Sequence, residues 1–334
     1  MNSIEIIAEI AQGFEGKLDQ SLQLLKAASA SGADAAKFQL VYADELAIPD
    51  YKYYDLFKDL EMSDQAWKEI VKTSQELPIE VIFDIFGKRS LDLAESLGGN
   101  SVMLHATDIT NLELIKEVSE RSIGRVILGA GGAYLSEIES ALDLLVNKKV
   151  CIMFGFQGYP TPDEDNQISR IDYMSSWISD KYDNVTVGFA DHSLPNSKML
   201  IPFSSMAYSA GARVFEKHLT LSQVMKLEDY ESAINPDQFF NYCCDLKECV
   251  KSYGVTKSAQ DFGMKSSEKK YRKFVQRHVI STKNLQKGSV VTKADIRLGR
   301  SSNSTAITDI DKVVGRGLLK DFAKGRAFSE SDFS

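Results

Sequence analysis

Short, almost wholly apolar runs alternate with longer amphipathic stretches over roughly the first three-quarters of the chain. The runs are IEIIAEI (4–10), DAAKFQL (34–40), IEVIFDI (79–85), SVMLH (101–105), RVILGA (125–130), KVCIMFG (149–155), VTVGFA (185–190) and ARVFEKH (212–218). They are rich in β-branched and aromatic residues and too short for buried helices, so each predicts a strand. The stretches between them carry helical periodicity. In LDQSLQLLKAASASG, Leu18, Leu22, Leu25, Ala28 and Ala30 fall roughly on one face, and Gly32 and Gly98 stand where helix C-caps are expected. Strands apolar on both faces and joined by helix-length connections imply a parallel sheet covered by helices. Eight such units predict an α/β fold of the (β/α)8 barrel type, with a doubly wound open sheet as the alternative.

A barrel points the side chains at the C-terminal ends of its strands into one mouth. Glu9, Lys37, Asp84, His105, His192 and His218 all occupy such ends. VTVGFADHSL and GARVFEKHLTL each deliver a histidine where an apolar run stops. Two imidazoles at neighbouring strand ends can hold one divalent ion and leave positions for water and substrate oxygens; the plainer reading is a pair of hydrogen-bonded structural histidines. Glu9, beside the Gly-punctuated AQGFEG, either binds a sugar hydroxyl or pairs with Lys37 or Lys217. Lys37 is placed to grip a carboxylate or phosphate as a compact cation. Tyr159, just past the sixth strand, is placed to reach the mouth, and Lys217 is a candidate substrate contact.

After residue 252 the pattern is lost. The stretch 253–273 is polar, Lys- and Ser-rich and aperiodic, and reads as a linker between a barrel domain (1–252) and a small β-rich module (274–334). Within that module NLQKGSVVTKADI and DFAKGRAFSESDF echo each other, and Thr292 and Ser329 are expected to cap one short helical turn each.

Composition narrows the function. A net charge of −8 argues against a general nucleic-acid binder. The N-terminus lacks a basic region before its apolar run, which Glu5 and Glu9 interrupt, so no signal peptide is expected, and no run is long enough to span a membrane. Cys151, Cys243, Cys244 and Cys249 form neither a disulfide framework nor a spaced zinc motif, and the expected compartment is the cytoplasm.

EIAQGFEG, GADAAKFQ, YPTPDEDN, GFADHS, GARVFEKHLTL and the tail after Phe274 together resemble the sialic acid synthase (N-acetylneuraminate synthase) family, over essentially the whole chain and in order. The resemblance implies a (β/α)8 barrel followed by a small β-rich antifreeze-like (SAF) module. It implies condensation of phosphoenolpyruvate with an open-chain N-acetylated amino sugar to a nonulosonic 2-keto-3-deoxy acid, with Mn2+ or Mg2+ on two histidines, here His192 and His218. Glu9, Gln39, Tyr159 and Asp229 match positions that hold the sugar or shape the metal site, and Gln157 stands where the family has an asparagine. Arg300 matches an arginine that the module sends into the partner subunit's site, implying a domain-swapped homodimer. The departures gather at one end of the site. Met103 replaces a lysine, Ala106, Gly129 and Ala190 replace serines, and Asp84 replaces a threonine. Most of these positions face phosphoenolpyruvate in the family. Charge-assisted hydrogen bonds contribute about 1.5–3 kcal/mol each, so their loss predicts a much weakened phosphate subsite. Two further expectations stand beside synthase activity: a metal-dependent aldolase or lyase using a non-phosphorylated donor such as pyruvate, and a non-catalytic sugar-acid-binding protein.

Overall fold

The computed structural model describes residues 3–155, 158–254 and 262–334. Its chain divides into two compact units, 1–254 and 255–334. The first contains eight strands: β1 Glu5–Ala11, β2 Ala35–Gln39, β3 Glu80–Ile85, β4 Ser101–Leu104, β5 Arg125–Gly129, β6 Lys149–Gly155, β7 Val185–Asp191 and β8 Val214–His218. They pair in sequence order, all parallel, and β8 closes on β1. The open-sheet alternative is therefore set aside in favour of the barrel. Apolar runs longer than a single face requires reflect two buried surfaces per strand. One surface looks inward, where Ile7, Ala35, Ile82, Ile127, Cys151 and Val214 pack on one another. The other packs under helices, as where Trp67 meets Phe14 and Phe83 edge-on at 5.4 and 5.6 Å.

Local chemistry sets the helix limits. Asn111 accepts from the Leu114 amide at 3.2 Å to start Leu112–Glu120, and Pro236 opens Pro236–Tyr253 behind an Asn235–Gln238 capping box. Gly32 and Gly98 take the left-handed conformation just past helix ends, with φ of 79° and 78°. Among the described residues no helix is long and apolar enough to cross a membrane.

The second unit has its own core of Val279, Leu285, Val291, Val313, Phe322 and Phe328 around an antiparallel pair, β9 His278–Ser281 and β10 Ile296–Gly299. The echo seen in the sequence is an echo in structure. Thr292 and Ser329 each begin a single 3-10 turn, and each backbone amide donates at 2.9 Å to the aspartate three residues on, Asp295 or Asp332. The stretch expected as an aperiodic linker is different in part. Residues 255–261 lie outside the described residues, whereas Ser266–Val275 is a helix with no buried residue. Its repeat is carried by charged positions rather than apolar ones, which a search for an apolar stripe passes over.

Candidate active site

The ends of the strands surround a cavity of about 360 Å3 lined by Glu9, Lys37, Gln39, Asp84, His105, Tyr159, His192, His218 and Asp229, each singled out in the sequence. Strand register brings them together. Glu9 lies opposite both Lys37 and His218, and Gln39 lies opposite Asp84. A bulge after Glu9 turns β1 aside, with the Glu9 Oε1 accepting from the Ala11 amide at 2.7 Å.

His192 and His218 stand with ring centroids 5.0 Å apart, and Tyr159 meets both edge-on at 5.9 and 5.6 Å. Burial, aided by Lys217, pushes His192 down to about 3, and burial, then His192 itself, holds His218 well below the usual range. Both rings are thus neutral at physiological pH. His192 Nδ1 sits 3.2 Å from the Ala190 carbonyl, which assigns the proton to Nδ1 and the lone pair to Nε2. Two neutral imidazoles, one oriented by a backbone carbonyl, fit a divalent first-row metal or Mg2+ completed by oxygen ligands. Among the described residues no third His, Cys, Asp or Glu joins them closely enough to form a complete protein ligand set. Tyr159 donates its hydroxyl to the Asp229 carbonyl, and the Asp229 carboxylate accepts from the Gln12 amide at 3.0 Å. Burial lifts Asp229 to about 6 despite that bond.

The inner part of the cavity is acidic. The Lys37 ammonium lies 2.5 Å from Glu9 Oε2, 2.8 Å from Glu216 Oε2 and 2.6 Å from Met103 Sδ. The Glu216 contact is an ion pair between two buried side chains. Burial works against the Lys37 charge, but Glu216 and Glu9 outweigh it and hold the ammonium above its usual value. Burial pushes Glu9 upward against the pull of Lys37. One ammonium cannot keep three buried carboxyls ionised. Asp84, the one without an ion pair, is pushed by burial up to about 8. His105, pushed down by burial to about 4, takes the Thr107 amide on Nδ1 at 3.4 Å.

Some expectations fail on geometry. Lys217 does not line the cavity. Alternation along β8 turns Glu216 and His218 inward and Lys217 outward, where it binds Asp191 Oδ1 at 2.8 Å and the Ser193 carbonyl at 2.9 Å. Lys37 as an anion grip is corrected too, because its ammonium is engaged by protein groups on three sides. Gln157 lies outside the described residues, and Arg300 is an exposed residue of the second unit. Two residues were missed. Glu216 shares the inward face of His218 two positions away, a period-two signal that was available. Gln12, whose side chain donates to Gln39 Oε1 at 2.8 Å, lies past the bulge, which no periodicity announces.

The model of the NeuB family matches residues 24–258, and that of the SAF domain matches residues 276–334. An N,N'-diacetyllegionaminic acid synthase of Campylobacter jejuni is 24% identical, covering 99% of this chain and 100% of that protein. The protein of the same name from Legionella pneumophila is 25% identical over 96% of this chain and 92% of its own. Among solved structures, an N-acetylneuraminic acid synthetase from Leptospira borgpetersenii in complex with citrate superimposes with a TM-score of 0.72 at 23% identity, covering 81% of this chain and 91% of that one.

Proposed function

The chain belongs to the NeuB family, and we propose that it joins a three-carbon donor to the aldehyde of an open-chain N-acetylated amino sugar, giving a nonulosonic 2-keto-3-deoxy acid. The observation that carries this reading is the pair of neutral imidazoles 5.0 Å apart at the cavity ends of β7 and β8. His192 and His218 would hold a divalent cation, Mn2+ or Mg2+, which would supply Lewis-acid polarisation of a carbonyl oxygen. The chain's own groups do the rest. Tyr159 braces both rings and is itself tethered to Asp229. Gln39, Gln12 and the Asp229 carboxylate offer donors and acceptors to sugar hydroxyls at the rim. Glu9, buried beside Lys37, is placed to accept a proton, with the ammonium balancing its charge. The domain-swapped homodimer implied for Arg300 belongs to the same reading, and four free cysteines fit a reducing cytoplasm.

Phosphoenolpyruvate is the donor implied by the resemblance. One observation favours a second reading, an aldolase or lyase using a non-phosphorylated donor. Among the described residues the cavity lining holds a single ammonium against four carboxyls, Glu9, Asp84, Glu216 and Asp229, where a phosphate ester calls for several donors and cations. Incubation with Mn2+ and N-acetylmannosamine separates the two: phosphate release from phosphoenolpyruvate supports the first donor, and pyruvate consumption without phosphate supports the second. Sugar binding without turnover under any metal would make the chain a non-catalytic binder. In either active case His192→Ala and His218→Ala each abolish Mn2+ retention and metal-dependent turnover; full activity in either variant discards the metal assignment.

A further inference from the structure

The inner wall holds a carboxyl that the chemistry above does not use. Asp84 ends its strand inside the cavity, is 1% exposed, and its Oδ1 has no hydrogen-bond partner among the described residues. A polar atom buried in this way costs free energy until something enters to satisfy it. Among the described residues Asp84 forms no ion pair, and the one ammonium of the lining, Lys37, is engaged by Glu9 and Glu216. Met103, opposite Asp84 on β4, and Ala106, Gly129, Met153 and Ala190 elsewhere on the lining offer neither side-chain charge nor hydroxyl. Nor is there room for one at residue 129, where an added Cβ would stand 2.6 Å from the Ala106 nitrogen. An ionised phosphate placed here would face carboxyls and thioethers. With burial lifting Asp84 to about 8, its carboxyl carries a proton at neutral pH and is a hydrogen-bond donor.

We propose that Asp84 is a specificity-determining residue that donates its carboxyl O–H to the keto oxygen of a three-carbon 2-keto acid, the oxygen that carries the phosphoryl group in the corresponding enol ester. The cavity thereby selects pyruvate over phosphoenolpyruvate. This rests on the reading above that the cavity takes a three-carbon donor beside the sugar.

The test is calorimetric titration of the Mn2+-loaded full chain with pyruvate and, separately, phosphoenolpyruvate, in wild type, Asp84→Asn and Asp84→Ala. Wild type binds pyruvate at least about tenfold more tightly than phosphoenolpyruvate. Asp84→Asn, which keeps a donor, stays within about threefold for pyruvate, and Asp84→Ala loses about tenfold. An infrared difference spectrum, wild type minus Asp84→Asn, shows a protonated-carboxyl C=O band in the ligand-free protein. That band and the wild-type preference decide the matter even if Asp84→Ala does not fold. Equal or tighter binding of phosphoenolpyruvate, equal pyruvate loss in both variants, or a carboxylate spectrum at residue 84 overturns the role of Asp84 while leaving the donor site standing. Binding of neither acid to wild type overturns the three-carbon site itself, and this inference with it.

Discussion

At the scale of single residues, what the sequence announced was chemistry out of place: histidines, acids and a lysine closing apolar runs. Such residues are avoided in cores unless paired or used, so their positions were legible. Their partners were not. Asp84 illustrates the difference, since only the structure shows that Lys37 is engaged elsewhere and Asp84 is left without an ion pair. That isolation has a pH signature. Asp84 rises from its ordinary 3.8 to about 8 in the folded protein, through burial, against the pull of Lys37 and with the push of Glu216 and Asp108. A raised carboxyl contributes stability that is whole below the unfolded value and is lost as pH climbs to the folded one, at about 1.4 kcal/mol per unit. Asp84→Asn removes that loss. Its stability relative to wild type therefore increases from pH 5 to pH 8 by up to a few kcal/mol and then levels off. Urea unfolding midpoints of both proteins at pH 5, 6.5 and 8 check this; a difference independent of pH would mean the carboxyl is ionised in the fold.

At the scale of elements, strand existence followed from the apolar runs, and the observed limits differ from the expected ones by two residues at most. Facing was harder to read, because strands buried on both sides have no polar face to mark which side looks inward. Lys217 was misassigned for that reason, and the alternation that sends it outward also turns Glu216 inward. Glu216 then has a structural consequence. Lys37 on β2 pairs with Glu9 on β1 and Glu216 on β8, so one ammonium ties three consecutive staves. Side chains this buried gain little net stability from pairing, yet removing one partner strands the others in low dielectric. Lys37→Met, close in length and apolar, is expected to cost about 3–5 kcal/mol at neutral pH. Chemical denaturation at pH 7 measures it, and a change below about 1 kcal/mol would show that the three groups do not act as a unit.

At the scale of the whole molecule, the net charge of −8 conceals two opposite parts. Residues 1–254 carry 22 Lys and Arg against 39 Asp and Glu, whereas residues 255–334 carry 17 against 8. The composition of the full chain hid this, and only the division into units makes the count meaningful. The smaller unit holds a core of its own, with Phe322 and Phe328 stacked at 4.2 Å, and it contains no cysteine. Expressed alone, it is therefore expected to unfold cooperatively and without regard to reductant. Among the described residues two of its aspartates are in ion pairs. Asp295 pairs with Lys283 at 2.5 Å and Asp332 with Arg326 at 2.9 Å, so much of the remaining positive charge is uncompensated. Uncompensated like charge destabilises a compact state, and salt screens it within a Debye length of about 10 Å at 0.1 M. The thermal midpoint of the isolated 255–334 unit should rise as KCl goes from about 0.02 to about 0.3 M. A falling midpoint would mean that its few ion pairs, and not its net charge, govern its stability.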